Sequence, residues 1–289
     1  MQGSVMELTL GVTLAVLGAG FLHAGWNALL KSAPGGDALL DTATVVAGSG
    51  ICALAVVPFV PAPAAAAWPY IAASATIHFG YYLTLAQAYK IGDLSFAYPL
   101  MRGSAPLIVA VLGIVFLSEL PTIATATGIL LISLGIVSIA FVRHESIRRH
   151  PPAAAYWAFA NASLIAVYTL TDGAGARASG NAAGYVSWLI FLEGLPFLFW
   201  VFMRRGRAAI SYVANSAGRG IVGGACSLAA YGIVLWAMTR APVAAVAALR
   251  ETSVLFAALI GSLWLKEGFG LPRLAGALAV VLGIAALKL

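Results

Sequence analysis

Two stretches of this chain read alike at a fixed separation. Ser95 to Glu119 (SFAYPLMRGSAPLIVAVLGIVFLSE) and Val243 to Glu267 (VAAVAALRETSVLFAALIGSLWLKE) each place an arginine, Arg102 or Arg250, inside an apolar run. A glutamate, Glu119 or Glu267, follows seventeen residues later, and the copies lie 148 positions apart. In the same register Gly113 meets Gly261, Gly128 meets Gly276 and Gly135 meets Gly283. A match that persists through the next apolar run without a gap makes the chain one unit written twice. Duplication of this kind in a hydrophobic chain marks proteins whose halves enclose a site near the bilayer midplane.

Hydrophobic residues make up 62% of the chain and charged residues 9%, where soluble domains carry about a quarter charged. The class implied is an all-α integral membrane protein. About 20 apolar residues cross a bilayer core as a helix. Dividing the chain at Pro, Gly and charge clusters gives ten transmembrane helices, at about 8–30, 39–60, 67–89, 95–117, 122–142, 153–175, 182–203, 218–239, 243–265 and 270–288. The longest polar segment, a connecting loop at 143–152, separates a first five-helix repeat (1–145) from a second (150–289). An odd number of spans per copy makes the second copy enter from the opposite face. The expected architecture is therefore two inverted five-helix repeats around a central cavity.

The first span lacks the basic leader and short apolar core of a secretion signal, and reads as a retained helix. Cys52 and Cys226 each sit among small residues inside a span, which suits packing and offers neither a disulfide framework nor a metal-ligand spacing. No metal and no cofactor is expected. The net charge of +6 does not point to nucleic acid, because the basic residues are few and lie at span ends. In the ten-helix parse Lys31, Lys90, Arg143, Arg148, Arg149, Arg204, Arg205, Arg207, Arg219, Lys266 and Arg273 share the face opposite both termini. Only Arg177, Arg240 and Lys288 lie on the terminal face. The positive-inside rule then places both termini outside the cytoplasm.

Polar residues inside the spans fall on stripes. His78, Tyr81, Tyr82, Leu85 and Tyr89 share one face of the third span, and Tyr231 in the eighth corresponds to Tyr81. His23, Trp26, Asn27 and Lys31 share a face of the first; Asn161, Ile165, Tyr168 and Asp172 share a face of the sixth, its counterpart. An unpaired polar group facing lipid costs several kcal/mol. These stripes are either cavity walls or helix contacts. The substrate-binding candidates are His23, Trp26, Asn27, His78, Tyr81, Tyr82, Tyr98, Tyr168 and Tyr231.

Arg102, Arg250, Glu251, Glu193 and Asp172 lie within spans, where a charge costs about 2.5–3.5 kcal/mol at a helix centre. Partners must offset that cost. One reading is internal pairing, Arg250 with Glu193 or Arg102 with Glu251; the other is an arginine holding a substrate carboxylate. Arg102, Asp172, Glu193 and Arg250 are the candidates for charge relay or gating, and Asp172 and Glu193 for carrying a proton. Glu119 and Glu267, at span ends, suit capping of the following helix. Pro106 lacks the amide that would bond the Arg102 carbonyl, so the fourth span is expected to bend. Val254 stands in its place in the second copy, and the ninth span need not bend alike.

The segments A97YPLMRGSAPLIVAVLGIVFLSE119 and A241PVAAVAALRETSVLFAALIGSLWLKE267, each followed by the matched glycines, resemble the drug/metabolite transporter superfamily, specifically the EamA-type exporters. The remaining spans match in hydropathy and spacing only. The resemblance implies a multi-pass protein of the inner (plasma) membrane, a secondary transporter that exports amino acids or similar metabolites by alternating access. Its many cavity-facing aromatics are similar to those of the aromatic amino acid exporter group. Many relatives keep their termini in the cytoplasm, and the charge count here prefers the reverse. The partners implied are a small-molecule substrate, lipid and possible protons, in a monomer or weak homo-oligomer. The alternative is a proton-coupled multidrug carrier, although the small four-helix pumps carry a mid-membrane glutamate in the first span and this chain offers only Glu7. An intramembrane enzyme has no HExxH, GxSxG or P-loop to rest on, and a channel no filter-like loop or ring of charge.

Overall fold

The computed structural model describes residues 7–31, 37–92, 94–140, 151–264 and 271–288 of the chain. Among the described residues the regular structure is helical. The α-helices are α1 (Leu10–Lys31), α2 (Ala38–Val56), α3 (Trp68–Ile91), α4 (Leu94–Leu117), α5 (Ile123–Ala140), α6 (Pro152–Ala178), α7 (Ala182–Arg205), α8 (Arg207–Asn215), α9 (Ala217–Met238), α10 (Val243–Arg250), α11 (Ser253–Trp264) and α12 (Leu271–Ala286). Glu267, Lys266 and most of the 143–152 connection lie outside the described residues.

Among the described residues six helices, α1, α2, α4, α6, α7 and α9, are long and apolar enough to cross a membrane, and α5 and α12 are shorter apolar helices. The third expected span is the 24-residue α3, whose His78, Gln87 and tyrosines lower its hydropathy. The ninth departs from expectation. It is divided at Arg250, Glu251 and Thr252 into α10 and α11. α4, by contrast, runs as one helix through both Pro99 and Pro106. The short α8 is an element the ten-span parse did not contain. It follows Gly206, whose φ of 57° supplies the left-handed turn that ends α7.

Local chemistry fixes several helix starts. Asp37 caps α2 by accepting the amides of Leu39 (2.9 Å) and Leu40 (3.4 Å). α6 opens with Pro152 at its first position, where a missing N–H costs nothing.

Lipid is as apolar as leucine, so close backbone packing, not apolar burial, holds such helices together. Glycine provides it at two crossings. On α2, a Cβ at Gly48 would overlap the Gly220 carbonyl of α9, so the two backbones touch there. Between α5 and α12, a Cβ at Gly128 would meet the Gly283 carbonyl at 2.8 Å and one at Gly135 the Gly276 carbonyl at 2.8 Å. As one number rises the other falls, so these two helices run antiparallel. Elsewhere α3 packs on α6 as α1 packs on α9, α2 packs on α9 as α3 packs on α7, and α4 packs on α6 as α1 packs on α11. Exchanging the halves turns each contact of these pairs into the other. All eight residues of α10 are buried, which makes it the plug at the centre of the bundle.

Candidate functional site

A cavity of about 270 Å³ lies among α1, α2, α3, α4, α6, α7 and α9 and reaches Arg250 of α10. His23, Trp26, Asn27, His78, Tyr81, Tyr82, Tyr98, Tyr168 and Tyr231 all line it, as do Arg102, Glu193 and Arg250. α1 contributes Trp26 and Asn27, α3 Tyr89 and α4 Tyr98, each from the helix end on the face opposite the termini. Towards the terminal face the buried α10 closes the space.

The aromatic wall is interlocked. His78 stacks on Tyr168 with ring centroids 4.2 Å apart, and Tyr81 meets Tyr168 edge-on at 5.8 Å. Tyr82 stacks on Phe197 at 4.5 Å, and His23 meets Trp26 edge-on at 5.2 Å. Such pairs hold ring positions and leave π faces and hydroxyl groups for a guest. Among the described residues, two buried polar atoms of the wall, Trp26 Nε1 and Asn161 Oδ1, have neither a hydrogen-bond nor an ion-pair partner. The Asn161 amide nitrogen is committed, donating to the Tyr81 carbonyl (3.0 Å) and Thr84 Oγ1 (2.9 Å), so Asn161 is a helix contact on one side and a cavity group on the other.

The two repeat arginines meet across a shared carboxylate. Glu251 is fully buried; its Oε2 lies 2.6 Å from Arg102 Nε, and its Oε1 accepts from Arg250 Nε (3.3 Å) and Nη2 (3.2 Å). Arg102 also donates to Ser253 Oγ (3.4 Å) and its guanidinium lies 5.9 Å from the centre of the Tyr98 ring. Of the two pairings read from sequence, Arg102 with Glu251 is present, whereas Arg250 turns to Glu251 and not to Glu193. Glu193 instead faces His78, Oε2 to Nδ1 3.3 Å. Each arginine is seven or eight residues, roughly 10–12 Å, from the N-terminal end of its helix, and the two helices start on opposite faces of the bundle. They therefore meet in the middle of the bundle.

Glu251 has no counterpart in the first copy, where Gly103 occupies the register. A Cβ there would come within 2.6 Å of Val137 Cγ2 and 2.9 Å of the Ser133 carbonyl, so α5 leaves no room for a side chain.

Asp172 is not a cavity-lining residue. It lies fully buried behind the wall, where Tyr185 donates to Oδ1 (3.0 Å) and Tyr231 to Oδ2. Tyr231 thus joins this carboxylate to the cavity. Sequence reasoning missed Tyr185, which stands in the first turn of α7, where a tyrosine reads as an interfacial residue.

Glu119 caps a helix, though not the following one. Its Oε2 accepts the amide of Val243, the first residue of α10 (2.8 Å), and its Oε1 pairs with Arg177 Nη1 (2.6 Å). Arg177 in turn donates from Nε to the Met238 carbonyl (2.7 Å) and from Nη2 to the Ala241 carbonyl (3.1 Å). This bolt ties α4, α6, α9 and α10 together on the terminal face. Arg177 had counted only as a loop charge in the sequence; its rarity on that face was the available signal.

Residues 152–289 match the EamA-like transporter family. A solved structure described as "Crystal structure of protein" is similar over 96% of this chain and 96% of its own, with a TM-score of 0.74 and 17% sequence identity. A likeness at that identity shows the fold. Among curated proteins no match was found.

Proposed function

We propose that this protein is a secondary carrier of small molecules, built as two inverted five-helix repeats, which exports amphiphilic amino acids, aromatic ones foremost, across the inner membrane by alternating access. The single observation that carries the reading is the central cavity, in which stacked tyrosines and histidine stand beside an arginine pair holding one shared carboxylate. An aromatic side chain fits the ring faces, and an α-carboxylate suits a guanidinium with N–H groups to spare. The Asn161 Oδ1 acceptor and Glu193 suit an ammonium.

Inversion is supported by the antiparallel run of α5 against α12, corresponding helices of the two copies, and by the helix contacts that exchange in pairs. The match to a transporter family starts at residue 152, where the second copy starts. In the orientation favoured by the basic residues, the cavity opens towards the cytoplasm, and the Glu119–Arg177 bolt closes the other face. Asp172, held by two phenols, and Glu193, facing His78, are the carboxylates through which proton movement would couple to the cycle.

Counterflow in proteoliposomes tests the carrier reading. Unlabelled phenylalanine or tyrosine inside the vesicles should accelerate entry of the labelled compound, and Trp26→Ala or Tyr81→Ala should weaken it while the protein stays folded. No acceleration by any amino acid would reject the substrate class. A thermal-shift panel of amino acids, nucleosides and cationic dyes then identifies the class that binds, because a ligand of the folded state raises its melting temperature.

A further inference from the structure

A second, larger concavity opens on the outside of the bundle, independent of the central one. It has a volume of about 720 Å³, within the range of small-molecule sites, and lies between α2, the α6–α7 turn and α9. Its floor along α9 is Ala225, Ala229 and Gly232, followed by Trp236 and Arg240. The first four recur at i, i+4, i+7 and i+11, one face of α9, and Arg240 stands two residues past the helix end at Met238. The face is open, since Ala225, Ala229 and Arg240 are exposed.

Chemistry changes along this face. The deep end is mainly apolar, and its two polar side chains, Cys52 and Ser187, are engaged by the Ile221 and Ala183 carbonyls. The end at the α9 C-terminus offers a cation. Arg240 lies with its guanidinium 4.9 Å from the centre of the Trp236 ring, and among the described residues it forms no ion pair. The other cation at this mouth, Arg177, is already engaged by Glu119 and two carbonyls. From Ala225 to Met238, the last residue of α9, thirteen helical steps span about 20 Å, somewhat more than one leaflet of a roughly 30 Å core. Trp and Arg at a helix end are the pair expected at the headgroup level. α7 bears a similar pair, Arg204 over Trp200 at 5.1 Å, but that pair does not line the groove.

We propose that this groove is a binding site for an anionic phospholipid, with one acyl chain along Ala225, Ala229 and Gly232 and the phosphodiester on Arg240. A free guanidinium at the mouth of an apolar slot of leaflet length is complementary in charge and shape to that class, and a zwitterionic lipid lacks the net negative charge to match it.

Native mass spectrometry of the purified full chain with equimolar phosphatidylglycerol and phosphatidylcholine of identical acyl chains tests this. The wild type should retain phosphatidylglycerol preferentially. Arg240→Gln should reduce that preference by about tenfold, and Ala229→Phe, which fills the slot, should lower retention of both lipids. Ala225→Phe serves as the filling variant if Ala229→Phe does not elute as a folded species. Equal retention of the two lipids by the wild type, an undiminished preference in Arg240→Gln, or unchanged retention in the folded filling variant would each overturn the assignment. Arg240 lies outside the central cavity, so counterflow by Arg240→Gln in a lipid-replete vesicle stays at the wild-type rate whether or not the transport reading holds.

Discussion

The two copies of the repeat motif differ where proline alone predicts the reverse. α4 contains Pro99 and Pro106 and continues as one helix, whereas the second copy has no proline between Val243 and Trp264 and is cut into α10 and α11. At the cut the amides of Glu251, Thr252, Val254 and Leu255 reach back three residues, to Ala248, Leu249, Glu251 and Thr252. The Thr252 hydroxyl adds a 2.7 Å bond to the Leu249 carbonyl. These are the tight turns of a 3₁₀ segment, and they let Glu251 and Arg250, neighbours that a regular helix would point apart, share one ion-pair cluster. This helix is interrupted where Arg250, Glu251 and the Thr252 hydroxyl are engaged, and the other continues through both of its prolines. Both copies still end alike in one respect. The Arg102 carbonyl lacks the amide four residues on because Pro106 has none, and the Val254 amide goes to Glu251 and not to Arg250.

Substitutions on both sides of the contrast test it. The largest effect is expected for Glu251→Gln, which leaves two buried guanidinium groups facing one another: a loss of about 3–5 kcal/mol in unfolding free energy, read by denaturation in detergent, with counterflow abolished. Adding Arg102→Gln should recover part of it, and strict additivity would show that the pair is not coupled. Next is Gly103→Ala in the first copy. Pressing a methyl group against Val137 and the Ser133 carbonyl should cost about 1–3 kcal/mol, whereas a wild-type melting curve would mean that α4 and α5 are not packed this closely. Thr252→Val removes one hydrogen bond at the cut and should cost about 1 kcal/mol, with slower transport than its stability loss explains. Smallest is Pro106→Ala. It returns an amide to the Arg102 carbonyl and should stabilise the protein by about 0.5–1 kcal/mol; no gain in melting temperature would indicate that this carbonyl is already satisfied.

Much of the helical layout is legible in the sequence, because apolar run length and loop charges report it directly, as for α6 between Pro152 and Ala178. The stripes on the first, third and sixth spans are legible for the same reason: a 3.6-residue period puts His78, Tyr81 and Tyr82 on one wall. What escapes is any feature set by an encounter between distant segments. Arg250 and Glu251 are adjacent, and adjacency on a helix argues against contact until the helix breaks. Asp172 sits on the polar stripe of α6, yet its carboxyl turns behind the wall because Tyr185 of α7 and Tyr231 of α9 reach it there. The Glu119 cap crosses to α10 and not to α5 because the C-terminal end of α4 meets the start of its own counterpart.

Among the described residues, none that lines the central cavity comes from α5 or α12. These helices act as a keel. Their crossing at Gly128, Gly135, Gly276 and Gly283 sets bare backbone against backbone, away from the chamber. The chamber lining can therefore be varied on the other helices while the keel keeps its sequence, and a methyl group added at Gly128, Gly135 or Gly283 would press on the opposing helix without touching the chamber.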